Sequence, residues 1–105
     1  MTRSISIFGA TGSIGDSTLD LIRGDRANWN VVALSANCSA EKLAKLAIEF
    51  DAQIAVVGDE KCLPELRQHL SGTKIEAAGG AQALCDAAAR PVDLTVAAIV
   101  GCAGL

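Results

Sequence analysis

Apolar runs and helical stripes alternate along this chain from its first residues to its last. The run Ile5-Ser6-Ile7-Phe8 sits in a segment at 4–8 that reads as a short strand. Over 13–23, Ile14, Leu19, Leu21 and Ile22, with Thr18, make a helix face, and Gly24 follows as a stop. Residues 29–34 are β-rich through Val31 and Val32. Ser39 is placed to cap a second helix, in which Leu43, Leu46, Ala47 and Phe50 recur at helical spacing. A third strand is predicted at 53–57, with Gly58-Asp59 turning the chain.

The second half continues the alternation more weakly. Residues 62–70 read as a helix, and Pro64 is tolerated only in a first turn, so the helix starts near 60–63. Gly72 ends it, and a short, weak strand follows at 74–77. Gly79-Gly80 lead into an alanine-rich helix at 81–89, with Leu84 and Cys85 facing inward, and Pro91 closes it. Residues 94–100 form a long apolar fifth strand. About five strands alternating with four helices predict an α/β fold, a Rossmann-like doubly wound parallel sheet with right-handed crossovers. The glycine-rich stretch after the fifth strand, Gly101-Cys102-Ala103-Gly104-Leu105, is of the kind that leads into a further helix. The expectation is therefore a single domain over 1–105 that is truncated at its C-terminal end.

Composition narrows the picture. Half of the 105 residues are hydrophobic but only 3% are aromatic, so the core has to be built from Ala, Val, Leu and Ile. That suits parallel strands buried on both faces. A net charge of −3 argues against a nucleic acid or an anionic membrane surface as partner. No targeting segment and no run of about 18 apolar residues is visible, which points to the cytoplasm. Cys38, Cys62, Cys85 and Cys102 lie 17 to 24 residues apart with no paired spacing, and are expected as reduced, partly buried thiols. His69 cannot complete a zinc set with them by local spacing, so no metal residue is assigned. Asp16 and Asp20 read as a solvated helix face, Asp86 and Asp93 as surface or capping residues, and His69 as an exposed helix-end residue without a carboxylate nearby. No nucleophile–base pair is apparent, and no catalytic residue is assigned.

The candidate chemistry lies between the first strand and first helix, where Gly9-Ala10-Thr11-Gly12-Ser13-Ile14-Gly15 spells G-x-x-G-x-x-G. This is a relative of the dinucleotide fingerprint. Gly9 permits a tight turn, Gly12 removes a Cβ that would block a pyrophosphate, and Gly15 lets the helix pack closely. Amides of Gly12, Ser13 and Ile14 at the positive end of the helix would then face phosphate, with hydroxyls of Thr11 and Ser13 beside them. The plainer reading is a tight strand–helix turn with a capping serine. About twenty residues beyond Gly15, where NAD-selective proteins place an acid for the ribose hydroxyls, the chain reads Ser35-Ala36-Asn37-Cys38-Ser39-Ala40. The missing carboxylate favours NADP, yet no Lys or Arg stands in the loop, and Lys42 and Lys45 lie within the following helix. Asn37, Ser39 and that helix's N-terminus could hold a 2′-phosphate, or the stretch could be only a polar cap.

Three strings taken together are more particular. SIFGATGSIGDSTLDLI at 6–22, VVALSAN at 31–37 and AAIVGCAGL at 97–105 resemble the 1-deoxy-D-xylulose 5-phosphate reductoisomerase family, in order and over essentially the whole chain. The resemblance implies an enzyme, usually homodimeric, that uses NADPH and a divalent cation (Mg or Mn). It rearranges and reduces a phosphorylated sugar to methylerythritol 4-phosphate in the non-mevalonate route to isoprenoids. It implies that Thr11, Gly12, Ser13 and Ile14 bind the pyrophosphate and that Asn37, Cys38 and Ser39 contact the adenosine 2′-phosphate. Gly101 to Gly104 would pass beneath the nicotinamide half. Cys38 departs from the Lys or Arg that the family commonly places there, which predicts a reduced preference for NADPH over NADH. The metal-binding carboxylates and substrate-binding residues of the family have no counterpart in these 105 residues, so the chain alone is expected not to catalyse. A freestanding dinucleotide-binding regulatory module is the alternative of another class. Another GATG-type dehydrogenase, such as an aspartate-semialdehyde or dihydrodipicolinate reductase, fits the loop but not the final segment. Self-association is expected through the apolar side beside 94–100, where Ile99, Val100 and Leu105 would lie exposed.

Overall fold

The structure, a computed structural model, describes residues 2–10 and 13–97. Five strands, β1 (Arg3–Phe8), β2 (Trp29–Ala36), β3 (Ile54–Val57), β4 (Glu76–Gly79) and β5 (Leu94–Ala97), alternate with four helices. The helices are α1 (Ser13–Arg23), α2 (Ala40–Glu49), α3 (Leu63–His69) and α4 (Ala81–Ala88). All neighbouring strands run parallel, in the order β4-β3-β2-β1-β5. The chain therefore steps outward from β1 to β4 and then returns to the other side of β1.

The core divides by sheet face. Ile5, Ile7, Leu34, Ala36, Ala55 and Val57 pack with Leu19 and Ile22 of α1, Leu43 and Ala47 of α2, and Leu66 of α3. On the opposite face, Phe8, Val32, Ala33, Ile54 and Val56 pack with Leu84 and Ala87 of α4. Val32 and Ala33 are consecutive yet share a face. The register explains this: Ile5 pairs with Val31 but Ser6 pairs with Ala33, so one extra residue enters β2 and restores alternation beyond it.

Helix periodicity explains one departure from the expected helix faces. Leu21 is 78% exposed, whereas Leu19 and Ile22 are buried. Gly15, Thr18, Leu19 and Ile22 follow the three- and four-residue spacing, and Leu21 falls off that stripe. The third helical segment begins with a 3-10 turn at Glu60–Cys62, capped by Asp59, whose carboxylate accepts from the Lys61 amide. Pro64 then sits in the first turn of α3. β4 lies two residues later than the apolar pattern suggests, because its register follows β3: Ala55 pairs with Ala77 and Val57 with Gly79. The predicted fifth strand begins where expected, at Leu94; residues 98–100 lie outside the described residues.

Candidate functional site

The carboxyl ends of the strands lie along one edge of the sheet, and the topology reverses between β1 and β5. In open α/β sheets, ligands settle in the crevice outside such a switch point. The turn leaving β1 at that place is fixed from β2. The Gly9 amide donates to Ser35 Oγ at 3.0 Å, in a fully buried bond, and the Ala10 amide donates to the Ser35 carbonyl at 2.7 Å. Both amides are therefore committed to the protein, and Gly9, with φ of 87°, serves as the turn itself. Gly15 allows the next approach. A Cβ there would run into the Gly9 carbonyl oxygen and lie 2.7 Å from Ala10 Cα. With the turn held this way α1 begins at Ser13, and the amides of its first residues have no acceptor within the helix. Of the residues assigned from sequence, Thr11, Gly12, Gly101 and Gly104 lie outside the described residues.

The loop leaving β2 is built differently. Asn37, Cys38 and Ser39 are exposed between buried Ala36 and Ala40. The Gly58 amide donates to the Ala36 carbonyl at 2.8 Å, and the Asp59 amide donates to the Asn37 carbonyl at 3.0 Å. These bonds fasten the loop to the turn after β3. Gly58 belongs there because a Cβ would press on Asn37 Oδ1 at 3.3 Å. Ser39 occupies the N-cap position of α2 without a side-chain capping bond, leaving its hydroxyl uncommitted to the helix.

Cys38 and Cys62 are joined by a disulfide, with Cα atoms 5.6 Å apart. This corrects the expectation of reduced thiols for these two; Cys85 is a free thiol. Their spacing of 24 residues hides a contact that the parallel pairing of β2 with β3 creates. The Asp59 carboxylate stands within 4.8 Å of both sulfurs. A disulfide offers no thiolate to a metal, so as bonded the cluster presents one carboxylate.

Asn37, Gly58, Asp59, Glu60, Lys61, Gly80 and Ala81 line an open depression along this edge. Lys61 is the cation in that lining, a place that no local motif marks. Its position directly after a strand and turn was the available signal, since residues just beyond strand ends line the crevice in this architecture.

The remaining candidates hold structural places. Asp93 accepts from the Ser4 amide at 2.8 Å and from the Ser4 hydroxyl at 3.2 Å, fastening the start of β5 to β1. Asp86 accepts from Gln82 within α4. His69 does have a carboxylate neighbour, Glu65, 3.8 Å away and one helical turn back, contrary to expectation. Arg23 hydrogen-bonds Glu49 across α1 and α2 and also reaches Asp20 at 3.4 Å. The bond from Arg23 holds the Glu49 carboxyl below its ordinary value, and the same bond raises the Arg23 guanidinium. None of these residues stands at the carboxyl edge.

Comparison with known proteins decides the family. The family model described as 1-deoxy-D-xylulose 5-phosphate reductoisomerase matches residues 5–105. The chain belongs to this family. A reductoisomerase from Cereibacter sphaeroides is 52% identical over 105 residues, covering 98% of this chain and 27% of the relative. One from Rhodopseudomonas palustris is 52% identical over 103 residues, covering 98% and 25%. The chain thus spans about a quarter of the length of these curated relatives. Among solved structures, a reductoisomerase from Zymomonas mobilis in complex with NADPH superposes with a TM-score of 0.94 at 45% identity, covering 99% of this chain and 28% of that one. A reductoisomerase in complex with magnesium gives 0.89 at 37% identity, covering 100% and 27%.

Proposed function

We propose that residues 1–105 are the NADP-binding domain, as far as this chain carries it, of an enzyme converting 1-deoxy-D-xylulose 5-phosphate to 2-C-methyl-D-erythritol 4-phosphate in the non-mevalonate isoprenoid route. One observation carries the reading: in a chain of this family, a glycine turn pinned by β2 opens α1 at the switch point of the sheet. Gly9 shapes that turn, and Gly15 allows α1 to come against it. The amides from Gly12 to Ile14, with the Thr11 and Ser13 hydroxyls, hold the pyrophosphate. Asn37, Cys38 and Ser39 receive the adenosine ribose and its 2′-phosphate, with Gly101 and Gly104 beneath the nicotinamide. Gly58 and Gly80 line the depression beside Asn37, where the Asn37 and Glu60 side chains lie against them, and its place at the carboxyl edge supports a nucleotide there. NADPH, when bound, supplies the hydride for the reduction. This chain's residues bind it and orient it.

Lys61 supplies the cation that position 38 lacks, but Asp59 and Glu60 share the same depression. Opposing charge close by weakens the hold on a phosphate. The preference for NADPH over NADH is accordingly small. A divalent cation does not fit this chain's described residues: the donor cluster of Cys38, Asp59 and Cys62 is two-thirds sulfur, whereas magnesium takes oxygen ligands. No catalytic step is assigned to this chain, which by itself does not turn over the sugar phosphate.

In the complete enzyme the protein is cytoplasmic and homodimeric. Among the described residues, no helix is long and apolar enough to cross a membrane. Among the described residues β5 is an edge strand with Leu94 46% exposed, which supports self-association on that side. Calorimetric titration of the chain with NADPH and NADH tests the central reading. Binding of both, with NADPH modestly tighter, is the expected result; heat from neither overturns it.

A further inference from the structure

We infer that Cys38 and Cys62 form a reversible thiol–disulfide site for small-molecule disulfides, and that its oxidation tightens binding at the adenosine end of the dinucleotide site. The inference rests on the cofactor reading above for its second half. Its first half rests on two places in the fold. Cys38 is exposed at the apex of the loop after β2, and Cys62 closes the 3-10 turn after β3. Their Cα separation of 5.6 Å lies within the ordinary disulfide range.

The chemistry balances without help from the rest of the protein. The Cys38 thiolate attacks one sulfur of a disulfide R–S–S–R, expelling one thiolate, which takes up a proton as RSH. The Cys62 thiolate then attacks Cys38 Sγ in the mixed disulfide and expels the second. The two cysteines lose two electrons and two protons, and R–S–S–R becomes two RSH. Exposure decides the order: Cys38 can be reached from solvent, whereas Cys62 is buried and resolves the mixed disulfide.

The link to binding comes from what the bond restrains. Asn37 is already fastened through its carbonyl to the Asp59 amide, but Cys38 and Ser39 are held only locally: the Cys38 carbonyl accepts from the Ala40 amide at 2.8 Å, and Ser39 has no side-chain cap bond. The disulfide adds a covalent tie from the loop apex to the residue next to Lys61. Donors on the loop and the cation beside it then need less ordering when an anion arrives. Breaking the bond frees the apex and restores that cost. Linkage makes the effect reciprocal, so bound nucleotide must favour the disulfide by the same factor that the disulfide favours nucleotide.

The test uses the full chain, oxidised with glutathione disulfide or reduced with dithiothreitol. The probes are 2′-phosphoadenosine and NADP⁺, neither of which carries a hydride. The oxidised chain is expected to bind both about fivefold more tightly than the reduced chain. Saturating 2′-phosphoadenosine is expected to shift the midpoint of the couple by about 20 mV toward the disulfide, which is that factor converted for two electrons. Peptide mass mapping should show Cys38 joined to Cys62, with Cys85 remaining free. Cys62→Ser, kept reduced, should bind like the reduced chain, and with glutathione disulfide it should stop at the mixed disulfide on Cys38, because the resolving thiol is gone. If that variant does not fold, the wild-type chain cycled between its two states carries the comparison alone. Equal affinities in the two states overturn the coupling, and so does a Cys62→Ser chain whose affinity rises on oxidation as much as that of the wild type. Failure to recover the Cys38–Cys62 link overturns the site. Binding of neither probe to either state, with the couple still titrating, overturns the cofactor reading and the coupling but not the thiol chemistry.

Discussion

Two turns at the carboxyl edge of the same sheet achieve rigidity by different means. The start of the turn after β1 is held by Ser35 of β2, whose hydroxyl accepts from the Gly9 amide and whose carbonyl accepts from the Ala10 amide, and a glycine in α1 comes so close that no side chain fits. The loop after β2 exposes three polar side chains and is held by two backbone bonds at its flanks and a disulfide at its apex. The first arrangement suits a ligand group recognised by unvarying backbone donors, such as a pyrophosphate. The second can change its side chains, and with them the choice of ligand, without disturbing the sheet. On the proposed cofactor reading, substitutions in the first turn are expected to act on the fold and binding together, and those in the second on selectivity.

The sharpest way to break that contrast is Gly15→Ala. A helical Gly→Ala change ordinarily gains up to about 1 kcal/mol. Here the added methyl meets the backbone of Gly9 and Ala10, which cannot swing aside as a flexible side chain would. Overpacking of this kind costs about 1–3 kcal/mol or more. The expected outcome is a net destabilisation of about 2 kcal/mol, a fall of roughly 10 °C in Tm for a chain this size, with loss of NADPH affinity. Thermal unfolding followed by calorimetric titration checks it; an unchanged or raised Tm would show that the turn yields easily.

Next in size is a pair of buried serines. Ser35→Ala leaves the buried Gly9 amide without its acceptor, at a cost of about 1–3 kcal/mol. Ser6, 1% exposed, has a hydroxyl with no hydrogen-bond partner among the described residues. Ser6→Ala should therefore be neutral or slightly stabilising, since it removes a buried polar atom that has no partner. Urea unfolding of both variants gives the sign. Equal losses would mean that the Gly9–Ser35 bond contributes nothing particular to the turn.

The loop after β2 calls for a different readout. Lys61→Ala should weaken NADPH binding by about three- to tenfold at low salt and leave NADH nearly unchanged, because an exposed cation acts on the 2′-phosphate through a screened interaction. Stability should hardly move, since the Lys61 side chain is at the surface. An equal loss for both cofactors would place Lys61 on the pyrophosphate or in the fold rather than at the 2′-phosphate.

The first of these regions was legible in sequence and the second only in part, for a physical reason. G-x-x-G-x-x-G between an apolar run and an amphipathic stripe is a local pattern, and local geometry makes the turn. β1 and α2 were legible in the same way, through alternation and through the Leu43, Leu46, Ala47 stripe. What escaped depends on partners distant in sequence. The Cys38–Cys62 bond and the place of Lys61 beside Asn37 both follow from β2 lying next to β3, with Ala36 paired to Val57. The two-residue displacement of β4 and the extra residue in β2 are set by neighbouring strands too, and a weak apolar pattern such as 74–77 cannot locate its own register. Leu21 misled because an apolar residue on a helix need not lie on its buried stripe.

The smallest effect belongs to a pair away from both turns and calibrates the rest. Arg23 hydrogen-bonds Glu49 between α1 and α2, and Arg23 and Arg26 lie 5.3 and 5.2 Å from the centre of the buried Phe50 ring. The bond from Arg23 depresses the Glu49 carboxyl, so the pair's contribution is fully present above the ordinary glutamate value and is lost as pH falls through the lower folded value. Both side chains are 43% exposed, and solvent screening keeps such a contribution slight. Glu49→Gln should therefore lower the unfolding midpoint by only a small, constant amount above about pH 5, with the difference closing on acidification. Added salt should shrink it at neutral pH as well. A difference that instead grew in acid would mean that Glu49 is held protonated in the fold. A large, salt-insensitive loss would mean that the arginines cover Phe50 mainly because Glu49 holds them there, making the contact between α1 and α2 depend on charge more than on the apolar core beneath it.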